Sequence, residues 1–172
     1  MSVKPSVANL SLNFSAGLEK QTVLPSAAYA GSRRYTPAWY EECVDVSTVR
    51  CPRLFTDAAG ESRFDEVEVA LSPADFAPPA PPMDMSSPVA AGQFVFLQVP
   101  PGWVGDMHPT PRRQLSVVLS GAMEVTGAGG ERRVFGPGGF LLMEDTTGAG
   151  HATRSVGDDD LRMAITALPD SV

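Results

Sequence analysis

Lysine and histidine are nearly missing from this chain. Lysine occurs only at Lys4 and Lys20 and histidine only at His108 and His151, so arginine supplies almost all the basic side chains. The formal net charge is -7. A chain so acidic carries little of the basic surface that phosphate backbones require, and nucleic acid is not an expected partner. Cysteine is equally scarce. Cys43 and Cys51 cannot build a disulfide framework. The first residues lack the apolar core of a secretory signal, so the two thiols read as free in a reducing cytoplasm. No apolar run approaches the ~20 residues of a membrane span, which excludes a membrane partner of that kind. The loop EDTTGAGH lacks the lysine of a phosphate-binding loop. No G-x-S-x-G elbow marks a serine nucleophile. No further zinc ligands accompany the two cysteines. What remains is a chain of 172 residues, 43% hydrophobic, enough for one core and too short for two comfortable ones. Its 16 glycines, 16 prolines and many alanines, with arginine in place of lysine, read as the composition of a GC-rich bacterial coding sequence.

Composition divides the chain into three zones. Residues 1–50 hold both lysines, all three tyrosines and Trp39, and show no clean alternation. Within them PAWYEECVDV (37–46) predicts a short helix, capped by Thr36 with Pro37 at its first position. The zone reads as an N-terminal arm that packs on the domain or on a second copy, and a homodimer is expected. Residues 51–172 form the domain. Strands are predicted over 51–57 and 62–72, followed by a proline-rich connector over 76–88 that should supply neither strand nor helix ladders. From residue 93 the pattern is strand, turn, strand: QFVFLQV, RRQLSVVLSG, a hairpin through AMEVTGAGGERRVFG, then GFLLMED, HATRSV and LRMAITAL. Short strands about ten residues apart with glycine turns predict an all-β sandwich or barrel. Phe94 and Phe96 share one strand face and read as core.

His108 and His151 are each placed at the start of a strand, near one mouth of such a barrel, where side chains converge on a pocket. Gly102 is followed by five residues, then His108-Pro-Thr110, three residues, Gln114, six residues and Gly121. Gly138-Gly139 opens a second stretch that runs through FLLMED and TTGAG to His151. These spacings resemble the two motifs of the cupin family, with Thr110 in the place of a second histidine and Gln114 in the place of a glutamate. The second turn is about two residues longer than usual and lacks its proline. The resemblance covers 93–168 well and implies an all-β cupin-type barrel or jelly roll. It also implies a divalent metal ion (Fe, Zn, Ni or Mn) held by His108, His151 and Gln114, the last a neutral stand-in for a carboxylate. Asp106, Glu144 and Asp145 are candidates for the missing charge.

Alternation adds a further residue. If Gln114 points inward, so do Arg112, Ser116 and Val118, while Arg113, Leu115, Val117 and Leu119 point outward. Arg112 then wants a carboxylate, either Asp106 or Glu144 of the protein or that of an anionic ligand it clamps; the other reading keeps the PTPRR segment a turn with both arginines solvated. Thr153 and Ser155 share the face of His151. The function expected is a cupin-type metalloenzyme acting on a small carboxylated organic molecule, by isomerase, cyclase, lyase or dioxygenase chemistry, with His108, His151 and Arg112 as catalytic residues. The alternative is a metal-free cupin that binds a small molecule or regulates through one.

Overall fold

The computed structural model describes residues 47–170, and they contain twelve strands and no helix. The predicted helix over 37–46, Cys43 and most of the N-terminal arm lie outside the described residues. Two long strands, β1 (Thr48–Thr56) and β2 (Ser62–Ala70), pair as an antiparallel hairpin. The first thus begins three residues before the boundary expected at 51. A small two-stranded sheet of β3 (Ser72–Ala74) and β4 (Met83–Met85) follows. The proline-rich connector does therefore contribute to a ladder, with Pro73 opposite Asp84. Proline is tolerated there because neither strand has a second neighbour that would need its missing N–H.

The remaining strands follow the predicted strand–turn order. They are β5 (Gln93–Val99), β6 (Val104–His108), β7 (Gln114–Ser120), β8 (Ala122–Gly127), β9 (Arg132–Phe135), β10 (Phe140–Glu144), β11 (His151–Val156) and β12 (Leu161–Ala167). A six-stranded sheet runs in the order β2-β1-β10-β7-β12-β5, and a four-stranded sheet in the order β6-β11-β8-β9. β1 and β10 are neighbours in parallel, although they are far apart in sequence.

Alternation decides what each sheet buries. Leu54, Phe64, Val118, Leu141, Met143, Leu161 and Met163 project from the large sheet, and meet Met123, Val125 and Phe135 from the small one, in a single core cluster. Ser116 and Val118 are buried as the parity of β7 predicts, while Leu119 is exposed. Phe94 and Phe96 depart from expectation. They are 57% and 75% exposed and stack edge to face on each other with centroids 4.9 Å apart. The strand that carries them, β5, is the edge of the large sheet, and its inward residues are Leu97 and Val99. Cys51 is buried, and that burial pushes its thiol pKa up, which makes it a poor nucleophile. No helix of the described residues is long and apolar enough to cross a membrane.

Candidate functional site

Between the two sheets lies a cavity of about 240 Å³. β5 contributes Leu97 and Val99, β12 contributes Leu161, Met163 and Ile165, and β7 contributes Gln114 and Ser116. Met143, Met123, Trp103 and Pro111 close the apolar wall, and His108, His151 and Thr153 complete the lining. Both histidines predicted to meet do meet. They are register partners on β6 and β11, and their ring centroids are 5.0 Å apart. His151 opens β11 as expected, whereas His108 closes β6 rather than beginning a strand.

His151 is 2% exposed. Its Nδ1 is 2.7 Å from Oδ2 of Asp145, which is itself wholly buried. Asp145 receives two further hydrogen bonds, from the hydroxyls of Thr110 and Ser62. A carboxylate accepting three donors is acceptor-only, so His151 donates from Nδ1, and in the neutral ring the lone pair is then on Nε2. The backbone reinforces the arrangement, because the Thr110 N–H donates to the Asp145 carbonyl at 2.9 Å. His108 also donates from Nδ1, to the carbonyl of Asp106 at 2.8 Å. Gly150 makes the close approach of the two strands possible. Its φ is +73°, and a Cβ there would lie 2.1 Å from the His108 carbonyl carbon.

Other expected site residues lie elsewhere. Arg112 does not line the cavity, and its guanidinium donates to Gln93 Oε1 at 2.8 Å. The inward register assigned to it fails because β7 begins only at Gln114, and the preceding residues form a bend in which alternation has no meaning. Arg113 is also outside, donating to Glu144 at 2.6 Å. Glu144 accepts in addition from Arg53, so it is committed to an ion-pair network on the far face of β10. The Asp106 side chain is exposed and does not reach the lining. Sequence reasoning named Asp145 only as one of three candidates for a metal-compensating charge and missed the supporting roles of Ser62 and Thr110.

The family profile described as Cupin domain matches residues 95–167. Residues 95–167 form a cupin domain. Among solved structures the chain is similar to a Cupin 2 conserved barrel domain protein from Salinispora arenicola CNS-205, at 16% identity and TM-score 0.38 over 59% of this chain and 76% of that one. It is similar to the Schizosaccharomyces pombe Cnp3 cupin domain at 12% identity and TM-score 0.41, over 72% and 88% of the two chains. It is also similar to the conserved SPY1581 protein of unknown function from Streptococcus pyogenes, at 20% identity and TM-score 0.37. That match covers 45% of this chain and spans 65% of the Streptococcus protein's length. No curated protein matches the chain.

A cupin domain implies a divalent ion inside the barrel, and the donor set here does not fit one. Among the described residues no three His, Cys, Asp or Glu side chains gather at one point. The cavity offers two imidazoles and the neutral amide of Gln114, whose Nε2 donates to the Met143 sulfur at 3.6 Å. Thr110, at the second-histidine position of the first motif, is buried and spends its hydroxyl on Asp145. The set thus holds no free anionic ligand, and a divalent ion stripped of water in an apolar barrel needs both charge and three or more protein ligands.

Proposed function

We propose that the chain is a small-molecule cupin that transfers a proton through His151 without a resident metal ion. The observation that carries this reading is the buried Asp145–His151 hydrogen bond of 2.7 Å. Asp145 fixes the ring and the tautomer, and it faces the positive charge that arises when Nε2 takes a proton. In a site of low dielectric that compensation is worth more than in water. An acidic C–H or O–H bond of the bound molecule breaks, its electron pair stays on the molecule, and the proton passes to Nε2. Thr153 is a neutral group of the lining that can hydrogen-bond the developing oxyanion, and Gln114 and Ser116 can do so by exchanging their weak contacts with the Met143 sulfur. Return of the proton to another carbon is an isomerisation. Departure of a leaving group with its electron pair is an elimination or a ring closure.

The test uses 5-nitrobenzisoxazole, a neutral aromatic C–H acid whose ring opening reports proton abstraction. Wild-type protein in EDTA is expected to open it faster than free imidazole at equal concentration. His151→Asn should lose at least about 100-fold of that rate, the scale of general base catalysis. An unchanged rate in His151→Asn overturns the reading. So does a rate that requires stoichiometric added metal. Binding of the probe with no rate moves the assignment to a metal-free binding cupin.

A further inference from the structure

We propose that the molecule this cavity accepts is neutral and mostly apolar, rather than the carboxylate expected from the sequence. The inference rests on the reading of the cavity as a small-molecule site, and it names the class of molecule. Charged residues make up 19% of the chain, yet among the described residues no Lys, Arg, Asp or Glu lines the cavity. The charged residues that flank it stay outside the lining, the exposed Asp106 among them. Arg112 is bonded to Gln93 outside the wall, and Arg113 and Arg53 are bonded to Glu144 beyond β10. Asp145 is sealed behind His151 by three donors.

An anion entering this space would lose water and meet no lysine or arginine, and the Asp145 carboxylate behind His151 would repel it. A neutral carbonyl or hydroxyl compound needs only a few hydrogen bonds. The two imidazoles, Gln114, Ser116 and Thr153 supply them in an otherwise apolar wall, which is the usual composition of a small-molecule site. The volume of about 240 Å³ falls below the ~300 Å³ at which drug-sized pockets begin, so a single ring or a short chain fits. Met123, Met143 and Met163 all face the space. Their unbranched side chains adapt to shape, which predicts tolerance among apolar skeletons and intolerance of charge.

Matched pairs on the full chain test this: acetophenone against benzoate, and cyclohexanone against cyclohexanecarboxylate. Two readouts serve, thermal shift and the fluorescence of Trp103, which lines the cavity, with Trp103→Phe as the control for Trp39. The neutral member of each pair is expected to bind at least about tenfold more tightly, and the cavity-filling Ile165→Trp should remove the binding. If that variant does not fold, competition between the two members of a pair on wild-type protein gives the same answer. A carboxylate that binds as tightly as its neutral partner overturns the inference. So does a failure of both members to act at millimolar concentration. The proton-transfer reading fails separately, because it is read from the His151-dependent rate and not from the charge preference.

Discussion

Asp145 organises the site, and it does so by collecting hydrogen bonds from places the sequence keeps far apart. Its donors lie 83, 35 and 6 residues away, at Ser62, Thr110 and His151. His108 and His151 were legible because each is placed by a motif spacing and the chain has no other histidines. The three-donor convergence was not legible, since nothing local to Ser62 or Thr110 distinguishes a buried hydroxyl from a solvated one. Arg112 failed for a related reason: two-residue alternation was extended past the point where the strand begins. Two outcomes follow at this scale. Asp145→Ala leaves three buried donors without an acceptor and should cost about 3–5 kcal/mol in urea unfolding; a loss under about 1 kcal/mol would contradict the account. Gly150→Ala forces a Cβ onto the His108 backbone at a φ of +73°. It should destabilise by roughly 1–3 kcal/mol or more and raise the exchange rate of the β6–β11 amides, and unchanged exchange would show that the contact is dispensable.

Strands were read well wherever one face is buried and the other is not. β7 obeyed its parity, and the β8–β9 hairpin formed around the glycines named for it. β5 misled because both of its faces are apolar, so its pattern does not say which face turns inward. The position of β5 at the sheet edge settles that, and edge position is a property of the assembled sheet. Phe96→Ala should therefore cost less than about 1 kcal/mol, whereas Leu141→Ala, from a wholly buried position, should cost about 2–5 kcal/mol. Similar losses at the two sites would place Phe96 in the core after all. The β1–β2 hairpin contributes to the acid response. The Arg53 guanidinium hydrogen-bonded to Asp65 holds that carboxyl below its ordinary range. A depressed carboxyl contributes stability that is complete above its unfolded pKa of about 3.9 and fades as the pH falls through the folded value. Asp65→Asn should accordingly lower Tm at pH 7 and leave it unaltered relative to wild type well below pH 3. A Tm difference that persists at the acid end would assign the effect to packing.

At the scale of the molecule, the order of short strands and glycine turns was enough for an all-β domain, and the motif spacings were enough for a cupin. The chemistry of the site was not legible, because a fold of this type does not fix it. The family match begins at residue 95, yet β1 and β2, which precede it, complete the large sheet and supply Ser62 to the carboxylate behind His151. The site is therefore a product of the whole barrel, and Thr110, at the place of the second histidine of the first motif, supports Asp145. The central claim is that Asp145 holds His151 as a neutral base with its Nε2 free, in a cavity that keeps no metal. Nitrogen-15 NMR of the histidine side chains at pH 8, before and after one equivalent of Zn²⁺, tests it most directly. The account predicts a His151 ring with the proton on Nδ1, far downfield from its bond to Asp145, and a bare Nε2 that does not respond to zinc. A proton on Nε2, or a stoichiometric zinc shift shared by the Nε2 atoms of His151 and His108, would contradict it.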